Sequence, residues 1–132
     1  MKRKIKSGRQ NNRKVVCMLS WNPQLAETRK WLLTANGYTV VSLLGTDGIR
    51  HLDEIEKADL FVLAHSVPTQ EKQHAIKLFK KRCSSPVLSL LPPHSRKLPE
   101  ADYGIEAHNP DQFVAVVNDI LRGPSTHATD TR

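Results

Sequence analysis

The sequence predicts an α/β domain built on a parallel sheet with helices on both faces. Three observations lead there. Short, continuous apolar runs recur along the 132 residues, amphipathic stretches that open on helix-start signals alternate with them, and no segment repeats. Runs apolar on both faces suit strands covered twice, and strand–helix alternation implies right-handed crossovers between parallel strands.

The first such run is "KVVCML" from Lys14. Asn22 and Pro23 then supply an N-cap and a first-turn proline for a helix with Leu25, Thr28 and Leu32 along one face, closed by Asn36-Gly37. "YTVVSLL" is the second strand, with Thr46-Asp47 starting a helix that carries Ile49, Leu52 and Ile55. "DLFVLA" is the third. Thr69 can cap the next helix, which has Glu71 in its first turn, Ile76, Phe79 and Cys83 on its buried stripe, and Lys80, Lys81 and Arg82 at its negative end.

"PVLSLL" and "DYGIEA" give the fourth and fifth strands. The last helix has Asn109 as cap, Pro110 in its first turn and Gln112 at the capping-box position. Phe113, Val116, Val117, Ile120 and Leu121 form its apolar face, and Gly123-Pro124 stops it. Periodicity thus leads to a flavodoxin-like three-layer sandwich over residues 14–123. Residues 1–13 are too polar to offset ordering and are expected to be a disordered basic tail, and residues 124–132 a flexible one.

Length and aliphatic content suit one domain with one core. The net charge is +7, but Lys2, Arg3, Lys4, Lys6, Arg9, Arg13 and Lys14 are seven of the 20 Lys and Arg residues, and the other 13 balance the 13 acids. The body is formally neutral. Cys17 and Cys83 are too isolated for a disulfide framework or a zinc motif, so buried free thiols are expected. No apolar run suits a secretory signal or a bilayer span, which places the chain in the cytoplasm.

"NPQLAETRKWLLTANGYTVVSLLGTDGIRHL", "DLFVLAHSVP", "SPVLSLL" and "ADYGIEAHNPDQF" follow one another as the landmarks of receiver domains from bacterial two-component response regulators do. The chain resembles that CheY-like family over nearly the whole domain. The resemblance implies a five-stranded parallel sheet of order 2-1-3-4-5 and a role in phosphorelay signalling. It also puts Ala64 at the phosphoacceptor aspartate, Ser20 and Trp21 at the acidic pair that holds Mg²⁺, Leu91 at the hydroxyl and Glu106 at the lysine. Alanine offers no oxygen to attack phosphorus, Ser20 and an indole offer no carboxylate to a hard cation, and Glu106 repels phosphate. The expectation is a pseudo-receiver with no cofactor, no metal and no enzymatic activity.

Only "PPHSRKLPEADYGI" separates Leu91 from Glu106, and Pro92, Pro93 and Pro99 discourage helix, so the family's fourth helix is expected to be shortened or missing. The sheet face uncovered there is then either closed by a lid through Leu98 or left as a partner patch, and the latter is the weakly favoured expectation. Tyr103 matches the family's rotating aromatic, but a fixed core or partner-facing residue is the preferred reading.

Ser20, His65 and Glu106 suggest a hydrolase triad only on paper, since no nucleophile elbow accompanies them. Scattered His65, His94 and His108 lack metal-ligand spacing. The expected partner is an unidentified signalling protein, with a homodimer as another candidate. Nucleic acid, held by Lys2, Arg3, Lys4 and Lys6 on the basic arm with the domain as an oligomerising body, is the alternative from a different class. The arm carries no interleaved aromatics for base stacking.

Overall fold

The computed structural model describes residues 13–106 and 109–123. The expected tails lie almost wholly outside them, as do Lys2, Arg3, Lys4, Lys6 and His108. Five parallel strands, β1 (Val15–Ser20), β2 (Thr39–Leu44), β3 (Leu60–Leu63), β4 (Val87–Leu91) and β5 (Tyr103–Glu106), form one sheet of order β2-β1-β3-β4-β5. Helices α1 (Pro23–Ala35), α2 (Gly45–His51), α3 (Thr69–Arg82) and α4 (Pro110–Arg122) complete the three layers. The expected order and architecture are those observed.

Alternation along the strands divides the core. Cys17, Leu19, Phe61 and Leu63 face a cluster with Ala75, Ile76 and Phe79 of α3, where Phe61 and Phe79 stack with ring centroids 4.6 Å apart. Val16, Met18, Leu60, Val62, Leu88 and Leu90 point the other way, to Leu33 of α1 and Phe113 and Val117 of α4. Central strands β1, β3 and β4 are buried on both faces except at Val15, whereas edge strands β2 and β5 are only partly covered. This explains why the central strands read as unbroken apolar runs.

Asn22 Oδ1 accepts from Gln24 N and Leu25 N, and Asn109 Oδ1 from Asp111 N and Gln112 N, so both expected caps form. Three expectations need correction. The buried stripe of α1 is Ala26, Arg29 and Leu33, one position on from the expected Leu25, Thr28 and Leu32. Burying Leu33 beneath Tyr38 and α4 decides the rotation, at the cost of burying an arginine. Next, α2 ends at His51, and Leu52–Glu54 tighten into a 3₁₀ turn that releases Ile55 into extended backbone. This helix starts directly from β2 because Gly45 adopts φ 64°, a turn that ordinary side chains resist.

The third correction concerns α3, whose N-cap is Pro68, with Thr69 already inside the helix and no side chain capping it, and whose C-cap is Cys83, half-buried past the helix end and not on its buried stripe. No helix connects β4 to β5. Instead the loop folds back over the sheet: Leu98 packs on the α3-side core, Ala101 is buried, and Lys97 Nζ donates to Leu98 O and Ala101 O at 3.1 and 2.8 Å. Gly104 of β5 lies so close beneath Lys97 that a Cβ there would stand 2.9 Å from Lys97 Cβ. Leu98 is thus half-buried against the sheet beneath the loop. Apolar sheet left bare by the shortened connection is covered by the nearest chain. No helix among the described residues is long and apolar enough to cross a membrane.

Candidate functional site

Parallel strands of this order bring their carboxyl ends to one edge, where open α/β sheets place their sites. Leu19 pairs with Leu63, which sets Ser20 and Ala64 side by side just beyond, and Leu91 pairs with Glu106. Ser20 and Ala64 are each 1% exposed, and Leu91 is buried too. The sequence-predicted positions Ser20, Trp21, Ala64, Leu91 and Glu106 thus share the edge. Tyr103 does not, because it opens β5 opposite Leu88, where it is 44% exposed.

Serine hydroxyls knit the β1 and β3 ends together. Ser66 Oγ accepts from Trp21 N at 3.0 Å and lies 3.4 Å from Ser20 Oγ, which in turn accepts from Asn22 N at 3.0 Å. Ala64 N donates to Leu19 O at 2.9 Å. At the other end of the edge, Glu106 Oε2 accepts from His94 N at 3.2 Å. His94 itself adopts φ 66° as the loop turns.

Cations flank this pocket. Lys72 of α3, 4% exposed, donates through Nζ to Ser89 Oγ at 2.9 Å and Leu90 O at 2.8 Å, and burial brings its pKa down to about 8. Arg29 of α1 is 8% exposed, its guanidinium lies 5.9 Å from the Phe113 ring centre, and its Nη1 is buried without a hydrogen-bond partner. His65 follows Ala64, and its pKa is lowered by burial and then by the Arg29 and Lys72 charges. Its Nδ1 is likewise buried and unpartnered.

The nearest carboxylates by sequence serve the opposite edge. Asp59 Oδ2 accepts from Val15 N, and Asp102 Oδ2 from Val87 N, both at 2.8 Å, so each closes the first N–H of a neighbouring strand. Among the described residues no group of three or more His, Cys, Asp or Glu side chains could hold a metal ion. A serine, an alanine and an indole offer none of the carboxylates through which proteins usually hold Mg²⁺.

Sequence reasoning missed Ser66, Lys72 and Arg29. The two cations had a legible signal: Lys72 lies four residues before Ile76 on the expected stripe, and Arg29 stands between Ala26 and Leu33 at helical spacing. Ser66 had none, because its role depends on β1 reaching its loop.

No protein-family model matches the chain, and no curated protein matches it. Solved structures do. The signal receiver domain of an HD domain-containing protein from Pseudomonas fluorescens superposes with a TM-score of 0.70 over 84% of this chain and 96% of that one, at 13% identity. This is the receiver fold. The same CheY-like fold relates the chain to the response regulator TrrA of Thermotoga maritima, solved in complex with Mg²⁺ and BeF (TM-score 0.69, 19% identity, 82% of this chain and 99% of that one). A CheY-like receiver domain protein of Methanospirillum hungatei is similar at TM-score 0.69 and 16% identity, over 88% of this chain and 99% of that one. At such identities the likeness concerns the receiver fold, and the chemistry has to be read from the side chains.

Proposed function

We propose that this receiver-fold domain acts in signal transduction without being phosphorylated, by binding a signalling protein. One observation supports the reading: Ser20, Trp21 and Ala64, which the receiver resemblance matches to the metal ligands and the nucleophile, share the carboxyl edge, and Ser66 hydrogen bonds tie the strand ends together. Phosphoryl transfer to a receiver needs an oxygen nucleophile, a divalent cation to neutralise the phosphoryl oxygens, and a cation facing the spreading charge. Ala64 removes the first requirement, the absence of a carboxylate pair at Ser20 and Trp21 removes the second, and Glu106 reverses the third. What persists is a rigid three-layer body, and protein binding uses such a body without any reaction at the edge.

The test is titration of the ¹⁵N-labelled chain with Mg²⁺ and beryllofluoride, the combination seen bound to TrrA. No saturable shift at residues 20, 21, 64, 91 or 106 is expected. Saturable binding there overturns the reading. Capture from the native cell should in addition return the same partner with and without acetyl phosphate, and a partner seen only after phosphodonor treatment contradicts it.

A second reading rests on the charge distribution. Seven basic residues precede or begin the domain while the rest of the chain is neutral, which suits contact with nucleic acid phosphates through residues 1–13. Deleting those residues should abolish polyanion binding in this case and leave partner capture intact in the first.

A further inference from the structure

We infer that the cleft between α1 and α4 is a binding site for a small carboxylate with a compact apolar body. The two helices are pinned together at their carboxyl ends. Arg122 Nη2 donates to Asn36 O at 2.8 Å while its guanidinium lies 4.8 Å from the Tyr38 ring centre, and the Tyr38 hydroxyl donates to Asn118 Oδ1. At their amino ends they part around a cavity of about 160 Å³, lined chiefly by Leu25, Arg29, Leu32, Leu90 and Phe113.

Two features point to an occupant. The first is Arg29, a permanently charged group 8% exposed, with no ion pair among the described residues and a buried Nη1 that donates to nothing. A buried cation without an anion is costly, and its attraction to a nearby ring offsets only part of the loss. The second is the shape and chemistry of the space that Arg29 helps to line: an otherwise mostly apolar recess, close to the roughly 150 Å³ that admits a benzene ring. A planar fork whose Nη1 is unpaired but sealed, beside an apolar recess, is matched by a carboxylate on a ring or a short branched chain, which pairs with Arg29 once the side chain turns that nitrogen to the recess and fills the space against Leu25, Leu32, Leu90 and Phe113. Arg29 also acts electrostatically on His65 beside the Ser20–Ala64 edge, but occupancy of the cleft requires no phosphorylation there.

Benzoate and its neutral isostere benzamide are the probes, added to the full chain and followed by methyl and amide NMR. Benzoate should saturate with a Kd of about the millimolar range, reasonable for so small a ligand, and move signals of Leu25, Leu32, Leu90 and Phe113. Benzamide should bind at least about tenfold more weakly, because it cannot form the charged pair. Arg29→Met should remove the preference for benzoate. If that variant does not fold, Leu90→Phe, which fills the recess and keeps Arg29, should abolish benzoate binding. Absence of a saturable shift, equal binding of benzamide, or shifts located away from the cleft would each show that Arg29 is only a packing residue over Phe113.

Discussion

Lys72 reaches from α3 into the sheet and donates to Ser89 Oγ at 2.9 Å, so a cation sits in the core beside the edge where the receiver fold places its chemistry. Its pKa of about 8 lies below the ordinary 10.5 because burial disfavours the charged form. Between those values the unfolded chain binds more protons than the folded one, so the contribution of Lys72 to stability rises as pH climbs from about 8 towards 10.5 and is flat below. Cys17, pushed up to about 12, acts in the opposite sense above its ordinary 9.0. Urea unfolding of the wild type and Lys72→Met from pH 7 to 10.5 therefore isolates the lysine. The difference between the two should move in favour of the wild type across that window, and parallel curves would refute the assignment.

Restoring the nucleophile alone should not restore phosphorylation. Ala64→Asp supplies an attacking oxygen, but Ser20 and Trp21 still leave Mg²⁺ without carboxylates, and Glu106 stays at the same edge. Incubation with labelled acetyl phosphate and Mg²⁺ should give no acid-stable, base-labile label above background. Stoichiometric labelling would show that the edge retains its chemistry.

Gly48 is packed too tightly for any side chain. A Cβ there would meet Leu43 Cβ at 2.8 Å and the Leu43 backbone carbon at 2.9 Å, and backbone cannot swing aside. Gly48→Ala should cost about 1–3 kcal/mol through overpacking of α2 against β2. A shift in the urea midpoint at unchanged slope is the readout, and an unaltered midpoint would mean that α2 rides loosely on its strand.

Closure of the loop over the sheet predicts that Leu98→Ala loosens it. Leu98 is partly buried against the α3-side core, so about 1–2 kcal/mol is expected, below the loss for a fully buried leucine. Hydrogen exchange should accelerate at Ser95 N and Ala101 N, which donate to Pro92 O and Leu98 O within the loop. Unchanged exchange at both amides would indicate that Lys97 and Gly104 hold the loop without Leu98.

The helix caps offer a local control. Asn109→Ala removes the acceptor for Asp111 N and Gln112 N and should destabilise by about 1 kcal/mol. Asn22→Ala should cost a similar amount. Thr69→Ala should cost much less, since Thr69 caps nothing. Equal losses at all three positions would contradict the capping geometry.

Local pattern determined a good deal of this protein. Four apolar runs and the short segment at Tyr103 are five strands, Asn22-Pro23 and Asn109-Pro110 open two helices as caps require, and the short proline-rich stretch after Leu91 holds no helix. Each depends on neighbours within a few residues, which is the range over which dihedral preference, capping and periodicity act. Ser20, Leu91 and Glu106 end their strands and Trp21 and Ala64 follow directly, since strand register follows from burial. Only the tertiary structure decided the rest: that α1 turns Arg29 rather than Thr28 inward, that Lys72 meets Ser89, that Ser66 receives the N–H of Trp21, and that Leu98 comes down on the sheet. Those contacts join residues 17 to 45 or more positions apart or set one helix face against competing partners, and the energy of such packing exists only once the elements meet.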